Sequence, residues 1–446
     1  MSLSSTYKKF IFKHDISVNK ILKFFATLPH VVYLQNQQCP IIGLMPTSYV
    51  QIINSEIQSF KRGGISEYIA SDEHAILNFE FNSAKNKNTP SFTGGLIGFV
   101  SYDYAANQHT KISIKAQPSL FLGEFKSYLK LESTGWYFYS HEDIADDIFN
   151  YILSLIESNQ STSVFALTTP CQARWTKSEY DYAFNSVQEY IKAGDCYQIN
   201  LTQEFTAKAY GSLVDTADDF WNLTQAPYSG YLRVGDFELL SCSPELFIDF
   251  QAERKIITKP IKGTMPRHAN AQKDEASKQR LKRSEKDMAE NVMIVDLLRN
   301  DLSVYAETGS VKTPKLFDIE SFNQVHHMVS EITAILKPDV NPLNVLMSAL
   351  PGGSITGAPK IRAMQIIEEL EAAPRGAYCG SLGYFNHDGT GCWNILIRSI
   401  QKYQEDVSLW AGGGITIASD CDAEYQECFD KVEAMLDLLN TWHTPE

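Results

Sequence analysis

FELLSCSPELFIDFQAERKIITKPIKGT, residues 237–264, is the stretch from which the fold can be argued. It holds two strand-like segments, Phe237 to Phe250 and Lys255 to Lys262, joined by a polar turn at Gln251 to Arg254. Two such segments with so short a join form a hairpin, and a hairpin is antiparallel. Centred near Ala252, it sets residue 245 opposite about residue 260, so Glu245 falls within about two positions of Lys262. A carboxylate is thereby brought to a lysine. In the second arm Pro260 removes an amide donor and Gly263 tolerates positive φ, which suits a strand end meeting a pocket. Lys262 is then a candidate for chemistry, but only with partners, because a lone lysine is ordinarily a solvated surface group.

Outward from the hairpin, strand-like runs alternate with helices in no regular βαβ rhythm, which predicts an α+β chain and not a parallel doubly wound sheet. With 446 residues the chain is long enough for two or three average domains or one large one. The clearest linker, SNQSTS at Ser158 to Ser163, follows an apolar helix-like run from Ile144 to Ile156 and divides residues 1–160 from 166–446. A formal charge of −14 argues against a nucleic-acid or anionic-membrane partner, so an anionic substrate has to be met by local positive charge. The eight cysteines form no C-x-x-C pair, which suits free thiols in a reducing compartment. Lys8, Lys9, Lys13 and His14 interrupt any signal-type apolar core, and no apolar run reaches the length of a bilayer span. The expected location is the cytoplasm.

Several stretches carry local signals. FTGGLIGF, at 92–99, reads as a glycine-rich strand in which Gly94, Gly95 and Gly98 let backbones pack closely. Helical periodicity runs from Ser178 to Ala193 and stops at Gly194, a C-cap. A strand from Cys196 to Phe205 follows, with Gln198, Asn200 and Thr202 on one face. Met265 to Asp287 is polar and charge-mixed, a solvated loop and helix entry. Ser284 opens the S-x-x-D pattern of an N-cap before Met288 to Leu298, a run that carries Glu290 and Asp296. PGGSITGAPK, at 351–360, has Ala358 where a phosphate loop has lysine, so it reads as a turn feeding a helix from Ile361 to Glu371. AGGGI, at 411–415, reads as a backbone nest for an anion or as a tight turn. From about Asp422 to Leu439 an apolar stripe of Tyr425, Cys428, Phe429, Val432, Met435, Leu436 and Leu439 predicts one helix. Glu424 and Glu427, one turn apart, suit a hard divalent cation; a Glu427–Lys431 surface pair explains the same spacing equally well.

Taken together, GDCYQINL, SPELF, PIKGT, AENVMIVDLLRNDL, VHHMVS, GGSITGAPK, GSLGYF, AGGGI and AEYQECFDK occur in order over residues 166–446. In this the chain resembles the chorismate-utilising enzymes, with a looser likeness in FTGGLIGF and SYD of the N-terminal part. The lysine of PIKGT points to the aminodeoxychorismate-forming branch, since the anthranilate-forming branch usually has alanine there. The resemblance implies a large layered antiparallel β-sheet sandwich with outer helices and the site in a cleft. Residues 1–160 would be its N-terminal region and 166–446 its chorismate-binding catalytic region.

The same resemblance implies roles. Lys262 would be the nucleophile at C2 of chorismate, and Glu245 the general acid for the C4 hydroxyl. Lysine is inert while protonated, so the pocket is expected to depress Lys262 and to raise Glu245. Glu290, Glu424 and Glu427 would be Mg²⁺ ligands. Tyr384, Arg398, Lys431 and the amides of Gly412, Gly413 and Gly414 would hold the substrate carboxylates. Thr264 and His327 would also touch the substrate, whereas His326 would be structural. Gln198 stands where isochorismate-forming relatives use a lysine base, which disfavours water attack. No G-x-C-x-G nucleophile elbow or pyruvate-releasing segment is present, so ammonia is expected from a separate glutamine amidotransferase subunit. The product would pass to a separate aminodeoxychorismate lyase, in the route to 4-aminobenzoate and folate. Two alternatives stand beside this reading: an anthranilate-forming enzyme, and a catalytically silent chorismate-binding or amidotransferase-activating subunit.

Overall fold

In the computed structural model, which describes residues 6–36, 39–71, 75–81, 91–158, 164–321 and 325–444, the hairpin is present one residue out of the expected register. Asp249 pairs with Ile257 and Phe250 with Ile256, across a turn at Ala252–Arg254. Neither arm is one strand. The first is split into Phe237–Ser243 and Leu246–Phe250, the second into Lys255–Thr258 and Ile261–Pro266. Each split falls at a proline, Pro244 or Pro260, which cannot donate to a ladder. The first split also moves the chain from one sheet to another.

Two large sheets result, and every ladder between their strands is antiparallel. One has Tyr228–Val234, Phe237–Ser243, Ser399–Tyr403, Asp406–Ile415 and Gln198–Tyr210 as consecutive neighbours. The other runs from Ile261–Pro266 through Val325–Ile335, Lys255–Thr258 and Leu246–Phe250 to Gly391–Asn394 and Ser381–Asn386. Val32, Leu34, Leu232 and Leu239 of the first sheet meet Ile97, Phe99, Phe121 and Leu382 of the second in a core between them. Helices cover the outer faces: Ala145–Ser158 and Glu433–Asn440 on the first, Glu285–Ser303 and Pro342–Ala349 on the second. The α+β sandwich with outer helices is the expected one.

In each sheet the strands from before residue 160 lie together on one side and those from after it on the other, joined by a ladder. His30–Leu34 pairs with Tyr228–Val234, and Gly95–Val100 with Ser381–Asn386. Of the linker Ser158 to Ser163, residues 159–163 lie outside the described residues. Gly98 answers to the expected close approach, since a Cβ there would stand 1.9 Å from the Phe121 carbonyl oxygen.

Local signals fix several elements. Thr176 and Glu179 form a capping box at the start of Lys177–Ala193, and Gly194 ends it at φ 83°. Ser284 caps Glu285–Ser303 by accepting the Asp287 amide. Three readings are corrected. Met265 to Asp287 is not mostly loop: it contains the helix Ala271–Lys282, whose only buried residue is Leu281, so it has no apolar stripe to betray it. The last helix breaks at Val432 (φ −130°, ψ −1°) into Cys421–Asp430 and Glu433–Asn440. AGGGI is neither nest nor turn but the end of the strand Asp406–Ile415, paired throughout with Gln198–Tyr210. Among the described residues no helix is long and apolar enough to cross a membrane, and all eight cysteines are free thiols.

Candidate active site

Between the two sheets lies a cavity of about 880 Å³. The second sheet brings Glu245, Lys262, Thr264 and His327 to it; the first brings Gly412 and Gly414, and the helix Cys421–Asp430 brings Glu424, Glu427 and Asp430. Arg398, Lys431 and, from the first turns of Glu285–Ser303, Lys286, Asp287 and Glu290 complete the charged lining. Six carboxyl groups thus face four cations.

Glu245 sits where the chain changes sheets. The one-residue register shift sets it opposite Ile261, whose amide donates to its carboxylate. Burial pushes its carboxyl up to about 7, against the pull of Lys262, that amide and the Ser354 side chain. Lys262 Nζ donates to Glu290 Oε1 at 3.0 Å and to the Ser354 carbonyl at 3.2 Å. Ser354 therefore touches both groups, one through its hydroxyl and one through its carbonyl. The expected depression of Lys262 is not what the structure shows. Burial alone would lower it, but the charge and hydrogen bond of Glu290, with Glu245 and Glu427 behind, hold it above its ordinary value. Burial likewise opposes the ionised Glu290, and Lys262, Lys431 and Lys286 together keep it below the usual carboxylate range.

The three expected metal carboxylates converge on the glycine strand. A Cβ on Gly413 would stand 2.9 Å from Glu424 Oε2 and 3.2 Å from Glu427 Oε1, and one on Gly414 2.0 Å from Gln198 Nε2 and 2.7 Å from Glu290 Oε1. The missing side chains of Gly413 and Gly414 leave room for these carboxylates and for Gln198. As they stand, each carboxylate is turned to a lysine: Glu290 to Lys262, Glu424 to Lys286 at 3.5 Å, and Glu427 to Lys431 at 2.6 Å. Both readings of Glu427 meet here, since its surface-type pair with Lys431 lies at the cavity edge. Among the described residues no three His, Cys, Asp or Glu side chains are close enough to hold a metal ion in this arrangement. The donors are nonetheless hard oxygens of the kind a magnesium ion takes, and the lining carries more carboxyls than cations.

Of the expected substrate contacts, Arg398 lines the cavity with no side-chain hydrogen bond or ion pair among the described residues. Thr264 Oγ1 lies 2.8 Å from His327 Nδ1, across the pair of strands that carries both. Burial and the nearby Arg398 push His327 down to about 4, so its ring is neutral. His326 bonds Ser321 and Asp274 instead. Lys431 Nζ also donates to the Gly412 carbonyl at 2.7 Å. Gln198 does not line the cavity; its Nε2 donates to Glu290 Oε1 at 3.0 Å and so orients that carboxylate.

Tyr384 is the clear correction. It is 5% exposed, packed edge-on to Phe92 at 5.5 Å in the core between the sheets, with its hydroxyl bonded to Asn36. The tyrosine at the cavity is Tyr378, stacked on Trp410 at 5.9 Å and flanked by Arg375. A strand drawn through 378–384 would turn both rings to one face, but Cys379 at φ 65° interrupts it. The second residue missed is Ser354, for which the sequence offered only a turn.

The family model described as chorismate binding enzyme matches residues 30–437. Aminodeoxychorismate synthase component 1 of Klebsiella aerogenes is 39% identical over 361 residues, 78% of this chain and 78% of that one. Its counterpart in Escherichia coli (strain K12) is 41% identical over 365 residues, 79% of this chain and 78% of that one. Anthranilate synthase component I from Streptococcus pneumoniae TIGR4 superimposes with a TM-score of 0.74 at 25% identity, covering 89% of this chain and 91% of the other.

Proposed function

The chain belongs to the chorismate-binding enzymes, and from that membership we propose that it aminates chorismate at C4 to give 4-amino-4-deoxychorismate, with Lys262 as covalent nucleophile and Glu245 as general acid. The observation that carries this reading is the meeting of the two groups on Ser354 in one cavity, with Glu245 held up to about 7. A carboxyl tuned to that value holds a proton near neutrality and can still give it up.

The Lys262 amine adds at C2, the ring double bonds shift, and the C4–O bond breaks as Glu245 delivers its proton; the oxygen leaves as water. Ammonia then adds at C4, the double bonds shift back, and the C2–N bond to Lys262 breaks. A proton lost by the incoming nitrogen restores Glu245. Attack needs the neutral amine, so the Lys262–Glu290 pair has to part before the reaction. Arg398 and Lys431, which line the cavity, would bind substrate carboxylates, and the neutral His327, bonded to Thr264, would hydrogen-bond without adding charge.

Glu290, Glu424 and Glu427 would hold Mg²⁺. Bound there, it would supply the positive charge a dianion needs in a cavity where carboxyls outnumber cations. Ammonia would come from a separate glutamine amidotransferase subunit, consistent with relatives named as a component 1. A separate lyase would consume the product, and the setting would be the cytoplasm.

The test is to incubate the purified chain with chorismate, Mg²⁺ and ammonium and to identify the product by chromatography and mass. Aminodeoxychorismate that becomes 4-aminobenzoate only when a lyase is added is the expected result. Fluorescent anthranilate would overturn the C4 assignment, and no turnover with ammonium or with an added amidotransferase would favour a silent subunit.

A further inference from the structure

Three lysines occupy the three carboxylates assigned above to the metal, and they are not equivalent. Lys262 is enclosed and catalytic in the proposed reaction, and Lys431 shares its ammonium between Glu427 and the Gly412 carbonyl. Lys286 differs in geometry. Its side chain is 63% exposed, yet its ammonium reaches in to Glu424, whose side chain is 3% exposed. Glu424 is otherwise tied to Ser419, whose hydroxyl donates to Oε1 at 2.7 Å. The charge of Lys286 acts on Glu427 and Glu290 as well. It enters from the first turn of Glu285–Ser303, beside the Ser284 cap, where its backbone is fixed and its stem is free to swing to solvent.

We propose that Lys286 is an internal counterion that holds Glu424 in the metal-free enzyme and is displaced when a divalent cation binds. This rests on the assignment of Glu290, Glu424 and Glu427 to Mg²⁺. A buried carboxylate without a cation is costly, so Lys286 keeps the empty site compatible with the folded state. The same ammonium competes with the metal for Glu424 and repels it at short range. Because the lysine is mostly in water, it leaves at small cost, whereas a buried lysine would block the site. The ammonium that swings away remains at the cavity mouth, where an anionic substrate enters.

The experiment measures binding of Mg²⁺ alone, by calorimetry and by competition against Mn²⁺ followed by electron paramagnetic resonance. It compares the full-length wild type with Lys286→Met, Lys286→Arg and Glu424→Gln. Lys286→Met should bind Mg²⁺ about fivefold more tightly, the size expected for one partly exposed ion pair. Lys286→Arg, which keeps the charge, should stay within about twofold of wild type, and Glu424→Gln should lose most of its affinity. An affinity for Lys286→Met equal to or weaker than that of wild type, with Glu424→Gln still impaired, overturns the counterion role and leaves the metal assignment standing. Equal Mg²⁺ binding by wild type and Glu424→Gln, or none by either, removes the metal assignment and the counterion role together.

Discussion

Above about pH 7 the Glu245 carboxyl gives up its proton, and the group that would protonate the leaving hydroxyl in the proposed reaction becomes a carboxylate. Burial raises this carboxyl, so the active, protonated form dominates below that value and is lost as pH rises through it. Attack also needs the neutral Lys262 amine, which is held above its ordinary value. Wild-type kcat/KM should therefore rise by about tenfold per pH unit below about 7 and level off above it, where the gain in neutral amine and the loss of protonated Glu245 cancel. Glu245→Gln should lower kcat by roughly 10²–10⁴-fold and abolish the break near 7. A Gln variant that keeps the wild-type break would assign it to another group. At this scale the sequence spoke clearly where a residue's neighbours in the chain determine its place. The pairing of Glu245 with Lys262 followed from hairpin arithmetic to within one residue, because a turn of three or four residues leaves few registers. Tyr384 and Tyr378 could not be separated, because the choice depends on a single positive φ at Cys379, a residue whose type does not advertise it. The raised state of Lys262 was hidden for another reason: Glu290, 28 residues away, reaches it only through tertiary packing.

The strand Asp406–Ile415 shows what an element adds. Its three glycines were legible as a place where something approaches the backbone, but the visitor was misjudged. The run is laddered strand, and the space left by the missing Cβ atoms is taken by the Leu201 carbonyl and Thr202 at Gly412, by Glu424 and Glu427 at Gly413, and by Gln198 and Glu290 at Gly414. Gly413→Ala should consequently act on the site more than on the fold. The nearest neighbours of the new methyl group are the ends of two glutamate side chains, at 2.9 and 3.2 Å, and these can turn aside. The expected outcome is at least about tenfold weaker Mg²⁺ binding, with a melting temperature within a few degrees of wild type. A collapse of the melting temperature would mean that the glycine serves the sheet. Amphipathic helices were easier to read, since Lys177–Ala193 and Glu285–Ser303 carry their caps in sequence. The break at Val432 was not, because the apolar stripe continues through it: Cys428, Val432, Met435 and Leu439 are all buried.

Across the whole molecule, the two sheets are assembled from strands on both sides of residue 160. The absence of a βαβ rhythm foretold antiparallel layers, but strand order is set by contacts hundreds of residues apart and leaves no local trace. A chain nicked between residues 159 and 163 should remain one cooperative unit, melting in a single transition and co-eluting on gel filtration. Residues 164–446 expressed alone should not, because His30–Leu34 and Gly95–Val100 each fill a place in the middle of a sheet. Two separate melting transitions of the nicked protein would show that the halves are autonomous. The passage of the chain between sheets at Pro244 has a consequence for ancestry. Glu245 and Lys262 ride on one hairpin, while Glu290, Glu424 and Glu427 come from the helices Glu285–Ser303 and Cys421–Asp430, so a side chain of the hairpin can be replaced without disturbing the elements that carry the carboxylates. A framework shared with an anthranilate synthase component I is what such independence allows.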